Sequence, residues 1–240
     1  MEWIFLSEGL VYFKEVYGTV PGWVGKMYAY RSEALDHYTN LRSAIMQEGY
    51  LSTKEKDLLL VGINAARRYE RSMVYHTKGA IDGEATLPEL AEYLLVPYLY
   101  GGVEAVRTGM ESVRYALSLK GLPDEQIPDN ASMDELLRYL LSITEENDGG
   151  YLMELLNATE ARRNQLLLDH GAVSAKMKAM LMVGVYSTEL QGSEAGVWME
   201  LARENGASDE ELAEVGLICL LTAGIPAWFE ASDSLQDRGV

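Results

Sequence analysis

Cysteine is almost missing from this 240-residue chain, and the single Cys219 excludes an internal disulfide, a dithiol redox pair and a cysteine-based zinc site within one chain. It sits in the apolar run Gly216-Leu-Ile-Cys-Leu-Leu221, where a free thiol behaves as a small buried hydrophobe. Histidine is scarce too. His37, His76 and His170 are dispersed with no H-x-x-x-H pair, so no metal centre is expected. Only six prolines interrupt the chain and no long Ser/Gly tract does, while Leu, Ala, Glu, Met and Lys recur throughout. That composition favours helix and predicts few strands or none. No apolar run reaches the roughly 20 residues of a spanning helix. The N-terminal Met1-Glu-Trp-Ile-Phe-Leu-Ser-Glu8 lacks a basic segment followed by a long apolar one. A cytoplasmic location without membrane contact is the expectation. Basic residues are outnumbered 20 to 37, and a formal charge of −17 repels phosphate backbones, so no nucleic-acid partner is expected.

What is present is an internal repeat. Residues 51–112 laid on 173–234, at a constant offset of 122, give seventeen identities in 62 ungapped pairs. They include Ser52/Ser174, Lys54/Lys176, Val61-Gly62/Val183-Gly184, Glu89-Leu-Ala-Glu92/Glu211-Leu-Ala-Glu214, Gly102/Gly224 and Ala105/Ala227. A shared helical bias does not produce this many matches in one frame; a duplication does. Capping boxes punctuate both copies: Ser52-Thr-Lys-Glu55, Thr86-Leu-Pro-Glu89, Ser132-Met-Asp-Glu135 and Ser208-Asp-Glu-Glu211 each place a hydroxyl at the N-cap and a glutamate at N3. Together with apolar periodicity they predict helices at about 33–48, 53–68, 71–82, 87–100 and 103–119. A second set is predicted at about 131–143, 150–169, 174–190, 194–205, 209–222 and 225–236. The turn-rich stretch 120–131, with two prolines, divides a first copy with its N-terminal extension (1–119) from a second copy (132–240). A short helical repeat does not cover its own apolar face, so the copies are expected to pack on each other or on other chains.

The first copy, from Tyr17-Gly-Thr-Val-Pro21 through Leu51-Ser-Thr-Lys-Glu-Lys-Asp57 and His76 to Tyr100-Gly-Gly102, resembles the carboxymuconolactone decarboxylase and alkyl hydroperoxidase D superfamily. The resemblance implies an all-α, duplicated helical bundle. The peroxidase branch carries a glutamate, a Cys-x-x-Cys pair and a histidine; here those positions hold Asp57, Tyr69, Ser72 and His76, with Arg71 between the cysteine positions. Thiol peroxidase chemistry needs an attacking and a resolving thiol, so Tyr69 and Ser72 exclude it. The decarboxylase branch works without the cysteines and keeps a histidine, although it usually has glutamate where Ser72 stands.

Imidazole suits proton transfer near neutral pH, and a neighbouring carboxylate fixes its tautomer. The resemblance implies that the helices holding Asp57 and His76 pack together, and the expected site then comprises His76 as proton carrier and Asp57 as its orienting group, with Ser72 and Tyr69 beside them. Tyr69, Ser72 and His76 share a face if their helix starts early enough. Arg67, Arg68 and Arg71 form a cationic cluster in a strongly acidic chain and are candidates for holding a substrate carboxylate. The plainer alternatives are a structural histidine–acid pair and a solvated helix end. The second copy has Ala179, Gln191, Glu194 and Trp198 at the positions of Asp57, Tyr69, Ser72 and His76, and so has no proton-shuttling group.

The function expected from this resemblance is a cofactor-independent decarboxylase or proton-transfer enzyme acting on a small carboxylated or lactone substrate. The alternative is a catalytically degenerate member that binds a ligand or scaffolds an assembly. The family also implies a homo-oligomer, a trimer or alternatively a dimer.

Overall fold

A computed structural model describes residues 7–124, 127–144, 149–169 and 171–237. Among them the chain forms thirteen α-helices and no strand. His170, one of the three dispersed histidines, lies outside the described residues, as do Met1–Leu6 of the N-terminal segment. No described helix is long and apolar enough to cross a membrane. The chain divides into two compact units, Met1–Gly49 and Tyr50–Val240, so both copies of the repeat fall in the second unit.

The first unit holds α1 (Glu8–Tyr17) and α2 (Gly22–Met46). Neither α1 nor the beginning of α2 carries the capping box that marks four later helices, and the sequence reading began only at 33. The missing signal is a long-range cap. The Asp36 carboxylate, from α2, accepts hydrogen bonds from Ser7 Oγ at 2.5 Å and from the Gly9 amide at 3.1 Å. Those bonds hold the Asp36 carboxyl below its ordinary range. Phe13, Val24 and Leu35 form the buried centre, with Tyr12, Tyr17, Trp23 and Tyr38 packed around it.

The second unit starts with α3 (Thr53–Ala66), α4 (Glu70–Asp82), α5 (Leu87–Leu95) and α6 (Tyr98–Lys120). Next come α7 (Met133–Ile143), α8 (Gly149–Asn157) and α9 (Glu160–Leu166), and finally α10 (Ala175–Thr188), α11 (Gly192–Glu204), α12 (Asp209–Ala223) and α13 (Ile225–Ser232). All four predicted capping boxes are formed. One predicted helix, 150–169, is broken in two because the Thr159 side chain accepts from the Arg162 amide and caps a new start. Another, 87–100, divides at Val96-Pro97, since proline cannot donate to the helix it would interrupt.

The 122-residue offset reappears as backbone geometry. It carries the bounds of α3 onto α10 and those of α4 onto α11 residue for residue. Arg68 and Leu190 hold the equivalent left-handed positions, with φ of 56° and 57°. Each ends its helix in a paired turn: Tyr69 N donates to Asn64 O and Arg68 N to Ala65 O, matched by Gln191 N to Tyr186 O and Leu190 N to Ser187 O. Gly102 and Gly224, both at positive φ, mark equivalent bends, the first a kink inside α6 and the second the junction of α12 and α13.

Helices α3 and α10 are buried on all sides over most of their length, as expected for the central pair of a bundle. They touch at glycines. A Cβ on Gly62 would lie 2.8 Å from Leu181, and one on Gly184 would lie 2.4 Å from Ile63. Around this contact the two copies exchange ion pairs reciprocally. Glu214 pairs with Lys56 at 3.1 Å and accepts from the Tyr50 and Leu51 amides. Glu92 pairs with Lys178 at 2.7 Å and accepts from the Ala172 and Val173 amides. Each residue of one set is the 122-offset equivalent of a residue in the other, the signature of a fused two-fold contact in which i meets j and j meets i. Burial pushes the Lys178 ammonium pKa down, while Glu92 counters part of that shift.

A second equivalent pair predicts how the unit responds to acid. Lys54–Glu89 and Lys176–Glu211 close at 2.8 and 2.6 Å. Burial raises both carboxyl pKa values, but the lysines and the N-cap groups of Thr86 and Ser208 outweigh it, and both fall below the ordinary 4.5. Their stabilisation is therefore complete above the unfolded value and is lost as pH falls through the lower folded value. Urea unfolding between roughly pH 6 and pH 3 should show stability declining in that window, less steeply in Glu89→Gln/Glu211→Gln. An identical slope in the double variant would contradict this assignment.

Candidate functional site around His76

Helix α3 brings Asp57 and α4 brings His76 to one point inside the second unit. The local sequence explains the pairing: α3 starts at its Ser52 box, so Asp57 falls at the beginning of the second turn, and α4 returns alongside after the three-residue turn at 67–69. His76 Nδ1 lies 2.7 Å from Asp57 Oδ1, and each residue is 5% exposed. A carboxylate acts only as acceptor, so this contact places the Nδ1 proton on the imidazole, directed at Asp57. At the next residue of α4, the buried Thr77 hydroxyl lies 3.0 Å from the Met73 carbonyl and 2.8 Å from Ser112 Oγ, joining α4 to α6.

The remaining candidates separate. Ser72 is half-buried on α4 one turn before His76. Tyr69 is the residue before the helix, with φ −111° and ψ 75°, and is 48% exposed. The helix starts at Glu70, too late for Tyr69 to share the helical face of Ser72 and His76. Arg67 is engaged elsewhere: Nε donates to Glu189 at 3.0 Å and Nη1 to the Thr222 carbonyl at 2.9 Å. Arg67 and Glu189 are equivalents under the 122 offset, so this ion pair joins the copies. Arg68 and Arg71 are exposed. His37 is an exposed residue of α2 beside Glu33. Cys219 is fully buried and burial pushes its thiol up to about 12, which leaves it protonated and inert.

In the second copy the equivalent positions carry no such pair. Ala179 is buried, Glu194 and Gln191 are exposed, and the Trp198 ring stacks on Tyr186 with centroids 6.3 Å apart. Tyr186 in turn meets Tyr100 edge to face at 5.3 Å. Aromatic packing thus occupies the place of the histidine.

A surface recess of about 240 Å³ lies beside the start of α4, bounded by Glu70, Arg107, Thr108, Met110, Glu111 and Arg114 among others. Neither His76 nor Asp57 lines it. Both arginines there secure the connection before α7: Arg107 donates to the Asn130 and Ala131 carbonyls and Arg114 to that of Ile127. One residue of the His76 site was passed over in the sequence. Gly79 sits inside α4, and an unexplained glycine in a helix interior, costing about 1 kcal/mol relative to alanine, was the available signal.

No curated protein matches the chain by sequence. Among solved structures, the fold is similar to that of a protein provisionally described as a gamma-carboxymuconolactone decarboxylase subunit from Burkholderia xenovorans. The TM-score is 0.56 at 16% identity, with 94% of each chain covered. The model of the carboxymuconolactone decarboxylase family matches twice, over residues 32–114 and 153–237. With both copies matched in tandem over most of its length, this chain belongs to the carboxymuconolactone decarboxylase family.

Proposed function

We propose that this protein is a cofactor-independent carboxy-lyase or proton-transfer enzyme for a small carboxylated lactone, working from one site, in the first copy. The observation that carries this reading is the buried His76–Asp57 hydrogen bond of 2.7 Å. In an α,β-unsaturated lactone carboxylated at the γ carbon, the bond between ring carbon and carboxylate breaks, carbon dioxide leaves, and the electron pair passes through the ring double bond into the lactone carbonyl as a dienolate. Protonated Nε2 of His76 then delivers the proton that completes the product, and Asp57 stabilises the imidazolium while it exists. Isomerisation of the same substrate class uses the same two residues, with His76 first removing a proton. Arg68 and Arg71, both exposed, are the arginines available to meet the substrate carboxylate, because Arg67 is held by Glu189 and Thr222.

The test is release of carbon dioxide from γ-carboxymuconolactone, followed with a panel of related lactone acids, by wild type and by His76→Ala. Turnover by wild type and its loss in the variant is the expected result. Equal rates in both proteins would end the reading.

A second reading, ligand binding or scaffolding without turnover, is favoured by the deep burial of His76 and by a recess that does not reach it. It predicts saturable binding of a lactone acid with no product, unaffected by His76→Ala.

A further inference from the structure

Gly79 follows His76 by three residues on α4 and faces Asp57. A Cβ at this position would stand 2.1 Å from Asp57 Oδ2 and 2.7 Å from its Cγ, far inside contact distance. The other oxygen of the same carboxylate meets His76 Nδ1 at 2.7 Å. The carboxylate is therefore lodged between the imidazole and the bare backbone of α4. At 5% exposure it has no solvent to turn into. Backbone conformation does not call for this glycine: it lies in the last turn of α4, where its carbonyl accepts from the Gly83 amide, and it is not among the residues with positive φ.

The second copy supplies the contrast within the same chain. At the 122 offset, Asp57, His76 and Gly79 become Ala179, Trp198 and Leu201. Where the carboxylate shrinks to a methyl group, the facing position takes a full side chain. All three positions thus differ between the copies.

We propose that Gly79 is a positioning residue of the His76 site: the missing Cβ lets the Asp57 carboxylate lie against α4 and hold Nδ1 of the imidazole. Its functional meaning rests on His76 being the proton carrier, but its test does not use turnover.

The experiment is nuclear magnetic resonance of ¹⁵N-histidine-labelled full-length protein, with the His76 signals identified by their absence in His76→Gln. Wild type is expected to show His76 protonated at Nδ1, with a downfield proton typical of a short buried hydrogen bond. In Gly79→Ala that proton signal should disappear. The titration midpoint should fall by about one unit, a tenfold loss in proton affinity, because the displaced carboxylate no longer favours the imidazolium. Thermal melting supplies the second measurement. Gly79→Ala should lower the melting temperature when Asp57 is present and do so much less in the Asp57→Ala background, which reproduces Ala179.

An unchanged Nδ1 proton and midpoint in folded Gly79→Ala would overturn the proposal. So would equal destabilisation with and without the carboxylate. If Gly79→Ala fails to fold, Gly79→Ala/Asp57→Ala decides the matter: recovered folding supports the proposal and continued failure overturns it. Wild type with the expected histidine signals but no turnover of any lactone acid would defeat the enzymatic reading and leave the positioning role standing.

Discussion

Glu92→Ala is expected to destabilise the Tyr50–Val240 unit by about 3–5 kcal/mol, seen as a lower urea midpoint at unchanged slope. Three losses combine. The ammonium of Lys178, fully buried, is left without the carboxylate 2.7 Å away. The amides of Ala172 and Val173, which Glu92 accepts, lose their acceptor as well. Among the described residues Lys178 keeps the Asp169 carbonyl, the Tyr151 hydroxyl and the face of the Tyr151 ring, with the Asp169 charge acting from beyond ion-pair distance. Neutral partners do not replace a counter-charge at a site that water does not reach. Replacing both members, as in Glu92→Leu/Lys178→Met, should recover most of the loss, because the cost lies in the unpaired charge and the pair itself adds little net stability. A fall below about 1 kcal/mol in Glu92→Ala would show that Lys178 finds other solvation, and would remove the reciprocal ion pairs as the lock between the copies.

Asp57→Asn is expected to lower kcat about 10²–10⁴-fold while leaving KM within a few-fold. The change preserves size and, from its amide oxygen, the ability to accept from Nδ1. It removes the charge that stabilises the imidazolium, and its amide group can also turn to donate, which favours the tautomer with the proton on Nε2. Both effects act on the proton-transfer step and not on substrate affinity. The check is steady-state kinetics on the lactone acid that wild type turns over, with the histidine tautomer read in the same variant. A KM rise at constant kcat would assign Asp57 to substrate binding instead.

Much of the architecture was legible because its determinants are local. Ser52, Thr86, Ser132 and Ser208 announce their helices through a glutamate three residues on, and the structure starts a helix after each of them. The helix starting at Glu8 carries no such box, since its cap comes from Asp36, and a partner 29 residues from Ser7 leaves no local pattern. The same distinction holds in the site. Asp57 and His76 sit where family spacing puts them, on neighbouring helices of one hairpin, and the structure brings them together. Tyr69 falls outside the helix because Arg68 takes a left-handed conformation and restarts the chain at Glu70. Arg67 reads from sequence as part of a cationic cluster with its neighbours, yet its partner lies 122 residues away at Glu189.

The resemblance of 51–112 to 173–234 is therefore a property the sequence determined alone, as are helical content, the absence of a thiol pair and the loss of Asp57 and His76 equivalents from the second copy. Those depend on residue identity and on spacing along one chain. Only the tertiary structure decided how the second copy meets the first. It supplies Glu214, Lys178, Glu189 and Thr222 as partners to the first copy, across a contact where α3 and α10 meet at Gly62 and Gly184. It also turned Gly79 from an unexplained helix breaker into the space that the Asp57 carboxylate occupies. The physical reason is the same in each case: charge pairing and excluded volume act between groups close in space, and their sequence separation carries no trace of that distance.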